Sequence, residues 1–89
     1  MAVPVRNVVV GMTTDVYDQV ATPLIAKLKT QPGFLMHVAY PGPDGLMVGE
    51  VWESQDQHDK WFSENVRPSL PPDAEVRHEV IEVHNVVKP

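Results

Sequence analysis

Glycine and proline break this chain at such short intervals that only short elements fit between them. Gly11, Gln31-Pro32-Gly33, Pro41-Gly42-Pro43-Asp44-Gly45, Pro68 and Pro71-Pro72 are the turn and stop signals. Val5 to Met12 reads as a strand around the β-branched run Val8-Val9-Val10, closed by Gly11. It is apolar on both parities, as a strand covered on both faces is. Thr13-Thr14-Asp15 offers caps for a helix start. Tyr17, Val20, Ala21, Leu24 and Leu28 follow at helical spacing, with a kink or break expected at Pro23.

Phe34 to Tyr40 and Leu46 to Trp52 read as two strands of an antiparallel hairpin. Ser54, with Gln57 three residues on, is a capping-box start for a second helix. There His58, Trp61, Phe62 and Val66 share a face, and Pro68 is the stop. Glu75 to Val87 reads as the fourth strand, half apolar on each face. The order β-α-β-β-α-β predicts an α+β, ferredoxin-like domain with a four-stranded antiparallel sheet, spanning residues 1–89 as one unit. Two helices cover one sheet face only. The bare face calls for a second copy, and a homodimer is expected.

Composition narrows the partners. A chain of 89 residues buries only about 60–65% of its unfolded surface, which again favours self-association. With no cysteine, neither disulfides nor thiol chemistry is available. Seven basic residues against twelve acidic ones give a net charge of -5, and the basic ones form no run. That argues against nucleic acid and against an anionic membrane surface. No apolar run approaches the roughly 20 residues of a membrane span, and Val8-Val9-Val10 is too short for a signal-peptide core. A cytoplasmic location is expected.

Asp44-Gly45-Leu46-Met47-Val48-Gly49-Glu50-Val51-Trp52-Glu53-Ser54, followed by Trp61-Phe62, resembles the antibiotic-biosynthesis-monooxygenase-like branch of the dimeric α/β-barrel proteins. Phe34 to Val38 and Glu82-Val83-His84-Asn85 are similar to small members of that group. The resemblance implies a homodimer whose two sheets form a barrel, with a small-molecule pocket between sheet and helices. Some relatives oxidise aromatic polyketides with oxygen and no metal or organic cofactor; others degrade heme, isomerise or cyclise. The heme-degrading relatives use an Asn on the first strand and a Trp on the second helix, where Asn7 and Trp61 stand. They also need an iron-ligating His just beyond that helix. Asn65-Val66-Arg67-Pro68-Ser69-Leu70 has none, which argues against heme degradation.

Candidate chemistry centres on two residues. His37, on the parity of Leu35 and Ala39, can serve as a general base near neutral pH if that parity faces the helices. The plain alternative is a histidine with a satisfied hydrogen bond. Glu50 is a carboxylate inside an apolar strand, on the parity of Val48 and Trp52. It is either a proton-transfer group or the partner of Arg77 or Arg6. Asn7, Tyr40 and Trp61 are candidate donors to an oxyanion. Trp52, Trp61, Phe62 and Tyr40 are candidate aromatic walls for a flat substrate. His58 is expected to be half exposed. His78 and His84 are six residues apart, roughly 20 Å along a strand, too far to share a metal. No metal site and no nucleotide loop is visible, so no cofactor is expected. The leading expectation is a cofactor-independent monooxygenase acting on a small aromatic or quinone-like compound. The alternatives are a cyclase or isomerase on the same scaffold and a non-catalytic small-molecule-binding dimer.

Overall fold

A computed structural model describes residues 2–89. The elements run β1 (Val3–Val10), α1 (Thr14–Leu28), β2 (Phe34–Pro41), β3 (Gly45–Trp52), α2 (Gln55–Trp61) and β4 (Val76–Val80). The sheet order is β2-β3-β1-β4, with each neighbouring pair antiparallel. This is the expected β-α-β-β-α-β fold.

Register decides which side chains meet. The rows His37–Glu50–Val5–Val80 and Ala39–Val48–Asn7–His78 run across the sheet on the face that the helices cover. The rows Val38–Gly49–Arg6–Glu79 and Tyr40–Met47–Val8–Arg77 run across the other face. On the helix side Leu28, Trp52 and Trp61 form a core packed by Leu24, Phe34 and Val66. Phe34 meets the Trp52 ring edge-on at 5.5 Å.

The helix starts follow the sequence. Thr13 Oγ1 accepts from the Val16 amide, and Ser54 Oγ accepts from the Gln57 amide. Pro23 neither kinks α1 into two pieces nor ends it: the helix runs unbroken to Leu28. Pro23 and Gln19, whose carbonyl loses its amide partner, are both exposed, so the missing bond falls on the solvent side. Beyond α2 the backbone widens into a π-helical turn over Phe62–Val66, then tightens into a 3₁₀ turn over Arg67–Ser69. Pro68 therefore sits inside the final turn.

β4 is shorter than expected, ending at Val80 rather than Val87. Its neighbour explains why. Pro4 accepts the last bond, from the Ile81 amide, but has no amide of its own to return, and β1 begins at Val3. Pairing with β1 goes no further, and residues 82–89 lie exposed, Val87 at 84%. A bulge between Phe34 and Met36 leaves Leu35 unpaired and exposed, so it does not share the face of His37. Among the described residues, no helix is long and apolar enough to cross a membrane.

Candidate active site

The two strand residues singled out as candidate proton-transfer groups are cross-strand partners. His37 on β2 lies opposite Glu50 on β3, and His37 Nδ1 is 2.6 Å from Glu50 Oε2. The other carboxylate oxygen, Oε1, accepts from the Trp52 indole N–H at 3.0 Å. Glu50 is 5% exposed. On the far side of the imidazole, Nε2 is 2.6 Å from the Tyr17 hydroxyl, brought in by α1. Burial, with the nearby Glu50 charge, raises the Tyr17 hydroxyl above its ordinary range, so it is a neutral phenol at neutral pH. It donates to Nε2. The imidazole then carries its own proton on Nδ1 and donates to the carboxylate. Tyr17–His37–Glu50 thus has the logic of a hydroxyl–imidazole–carboxylate triad, with a phenol in the hydroxyl's place.

This relay opens into a cavity between sheet and helices that is open to solvent at its mouth. Tyr17, His37 and Glu50 form one part of its wall, and Asn7 another. Almost everything else is apolar, including Leu24, Trp61 and Phe62. A few polar groups in an apolar wall suit a small, largely hydrophobic ligand with one or two polar handles. The π-helical turn places Phe62 and Val66 on this wall; such turns often occur at functional sites.

The arrangement corrects several expectations. Glu50 does not pair with an arginine: Arg6 pairs with Glu79, and Arg77 with Glu75 and Asp44, all on or beyond the opposite face. His58 is buried, 2% exposed, because the helical face it shares with Trp61 packs on the sheet. Tyr40 stands on the sheet face away from the cavity, one residue out of phase with Ala39, and does not join the other site residues. Trp52 is fully buried and holds Glu50 instead of walling the cavity. Asn7, Trp61 and Phe62 do line it. Tyr17 was read as a core position from its helical spacing; that spacing does aim it at the sheet. In the stretch after α2, Leu70 is buried and adds an apolar wall to the cavity. Among the described residues, no group of three or more His, Cys, Asp or Glu is arranged to hold a metal.

No family model matches the chain, and no curated protein matches it. Solved structures do. SnoaB, a cofactor-independent oxygenase from Streptomyces nogalater, superposes with a TM-score of 0.69 at 15% identity, over 99% of this chain and 97% of that one. ActVA-Orf6, a monooxygenase of Streptomyces coelicolor solved with nanaomycin D, gives 0.66 at 18% identity, over 99% and 91%. A heme-degrading protein from Mycobacterium tuberculosis gives 0.59 at 18% identity, over 98% of each chain. The chain therefore has the fold of the antibiotic-biosynthesis-monooxygenase-like proteins.

Proposed function

We propose that this chain is a cofactor-independent monooxygenase acting on a small aromatic or quinone-like compound with an acidic C–H bond. The observation that carries the reading is the Tyr17–His37–Glu50 relay opening into an apolar cavity. A substrate such as an anthrone lies between Trp61 and Phe62 with its carbonyl oxygen toward Asn7. Its C–H proton passes to the Tyr17 oxygen as the Tyr17 proton passes to His37 Nε2. Glu50 stabilises the resulting imidazolium. Negative charge collects on the substrate oxygen, where the Asn7 amide donates to it.

The carbanion gives one electron to dioxygen, and the radical pair joins as a carbon-bound peroxide. The relay returns the proton, giving a hydroperoxide. Loss of the second C–H proton and of hydroxide, which leave together as water, makes the new carbonyl. The balance is CH₂ + O₂ → C=O + H₂O, with no other oxidant or reductant. The apolar wall keeps bulk water from the carbanion and the peroxide.

The second sheet face is left bare by the two helices and exposes Met36, Val38 and Tyr40. We propose that a second copy of the chain covers it. The heme-degrading neighbour does not redirect the reading, because the stretch after α2, residues 65–70, carries no histidine.

Oxygen uptake by chelator-treated protein supplied with an anthrone tests the assignment. One dioxygen consumed per substrate supports it. Turnover that continues under nitrogen would instead mark a cyclase or isomerase using the same base, and binding without turnover a carrier.

A further inference from the structure

A second chain of hydrogen bonds reaches the cavity and takes no part in the base. His58 Nδ1 is 2.8 Å from Asp59 Oδ1; His58 Nε2 is 3.2 Å from Asn7 Nδ2; Asn7 Oδ1 is 2.6 Å from His78 Nδ1. His58 and Asn7 are 2% and 5% exposed, whereas the Asp59 side chain is 57% exposed, so the chain runs from solvent to the cavity wall. β1 and β4 place Asn7 directly opposite His78, and α2 lowers His58 onto Asn7 from above.

With His58 neutral, the chemistry of each atom fixes the direction of every bond. A carboxylate only accepts, so Asp59 selects the form of His58 with its proton on Nδ1. His58 Nε2 is then a lone pair, and the Asn7 NH₂ donates to it. The Asn7 carbonyl oxygen must accept, so His78 donates from Nδ1. Burial above all holds the His78 imidazole below its ordinary range, which favours the neutral form in this role. The opposite amide orientation would set the Asn7 oxygen against the His58 lone pair. One amide orientation survives, and one of the two Nδ2 hydrogens remains unused at the cavity wall.

We propose that His58 and His78, with Asp59 behind His58, are positioning residues that clamp the Asn7 amide so that its remaining N–H meets the oxyanion of the substrate. This rests on the oxygenase reading. A donor fixed before the reaction loses nothing to reorientation as charge develops. The hydrophobic neighbours sharpen the point. His58 meets Trp52 edge-on and stacks on Phe62, a slot that an apolar ring would fill without any polar atom to satisfy.

The test joins side-chain nitrogen NMR of the histidines with kinetics on an anthrone. At neutral pH, wild-type His58 is expected in the Nδ1–H form. H58F, which keeps the ring and removes the acceptor, is expected to lower kcat about 10- to 100-fold with KM little changed. H58Q, whose side-chain oxygen can accept in place of Nε2, is expected to recover most of that loss. D59A, at an exposed position, keeps the fold and is expected to mix the two His58 forms and lower kcat several-fold. An Nε2–H His58 in the wild type overturns the clamp, as does an H58Q no better than a folded H58F, or a D59A with wild-type kcat. Should H58F not fold, the D59A result decides. Should the wild type consume no oxygen, the oxygenase reading fails, and the His58 form still decides whether the clamp exists.

Discussion

At the scale of residues, the account turns on a carboxylate that is buried and fully engaged. Glu50 accepts from His37 with one oxygen and from Trp52 with the other, so its charge is held on the imidazole side of the cavity. Glu50→Gln keeps the shape and removes the charge that stabilises the imidazolium. It is expected to cut kcat by about 100-fold or more, with ligand quenching of tryptophan fluorescence nearly unchanged. Tyr17→Phe is expected to cost a similar factor by removing the atom that takes the substrate proton. His78 bears on pH. Its folded-state pKa is lowered, so the unfolded chain binds the extra proton first. Its contribution to stability is therefore fully present above about pH 6.5 and is lost as pH falls through the folded value. Denaturant melts of wild type and His78→Gln should converge as the pH is lowered from 7; a constant gap would contradict this. Sequence parity grouped His37 with Ala39 and Glu50 with Val48 and Trp52 but left open which parity faces the helices. It could not pair them, because pairing depends on the register between two strands, which local pattern does not carry. Expecting His58 to be half exposed weighed its polarity over the apolar face it shares with Trp61; the face decided.

At the scale of elements, the close approaches are where single changes tell most. Gly45 opens β3 with φ +152°, and a Cβ there would come within 2.2 Å of the Val9 carbonyl oxygen. Gly45→Ala is expected to destabilise the fold by more than about 1 kcal/mol in a denaturant titration. Ser54→Ala removes the acceptor for the Gln57 amide and is expected to cost about 1 kcal/mol, chiefly by loosening the helix that carries His58 and Trp61. Six elements in order were legible from Gly, Pro and periodicity. Their ends were less so: Pro23 sits on the exposed side of α1, where its lost bond is cheap, and β4 stops opposite Pro4 of β1, which has no amide to return. Both outcomes depend on neighbours in space.

At the scale of the whole molecule, one sheet face holds the cavity and the other presents Met36, Val38 and Tyr40 to solvent. A chain this small gains much by covering such a face. Native mass spectrometry is expected to give two chains for the wild type. Val38→Glu, which sets a charge beside Met36 and Tyr40 on that face, should shift the population toward one. The cavity itself needs no such partner for its relay, since Tyr17, His37 and Glu50 come from a single chain. The central claim is that this relay draws a proton so that dioxygen can react directly with the substrate. Turnover of an anthrone under isotopically heavy dioxygen, with chelator present, tests it most directly. The account predicts one heavy oxygen atom in the product carbonyl and the other in water, with the rate lost in Glu50→Gln. A product carbonyl labelled from heavy water instead, or a Glu50→Gln variant as fast as the wild type, would contradict it.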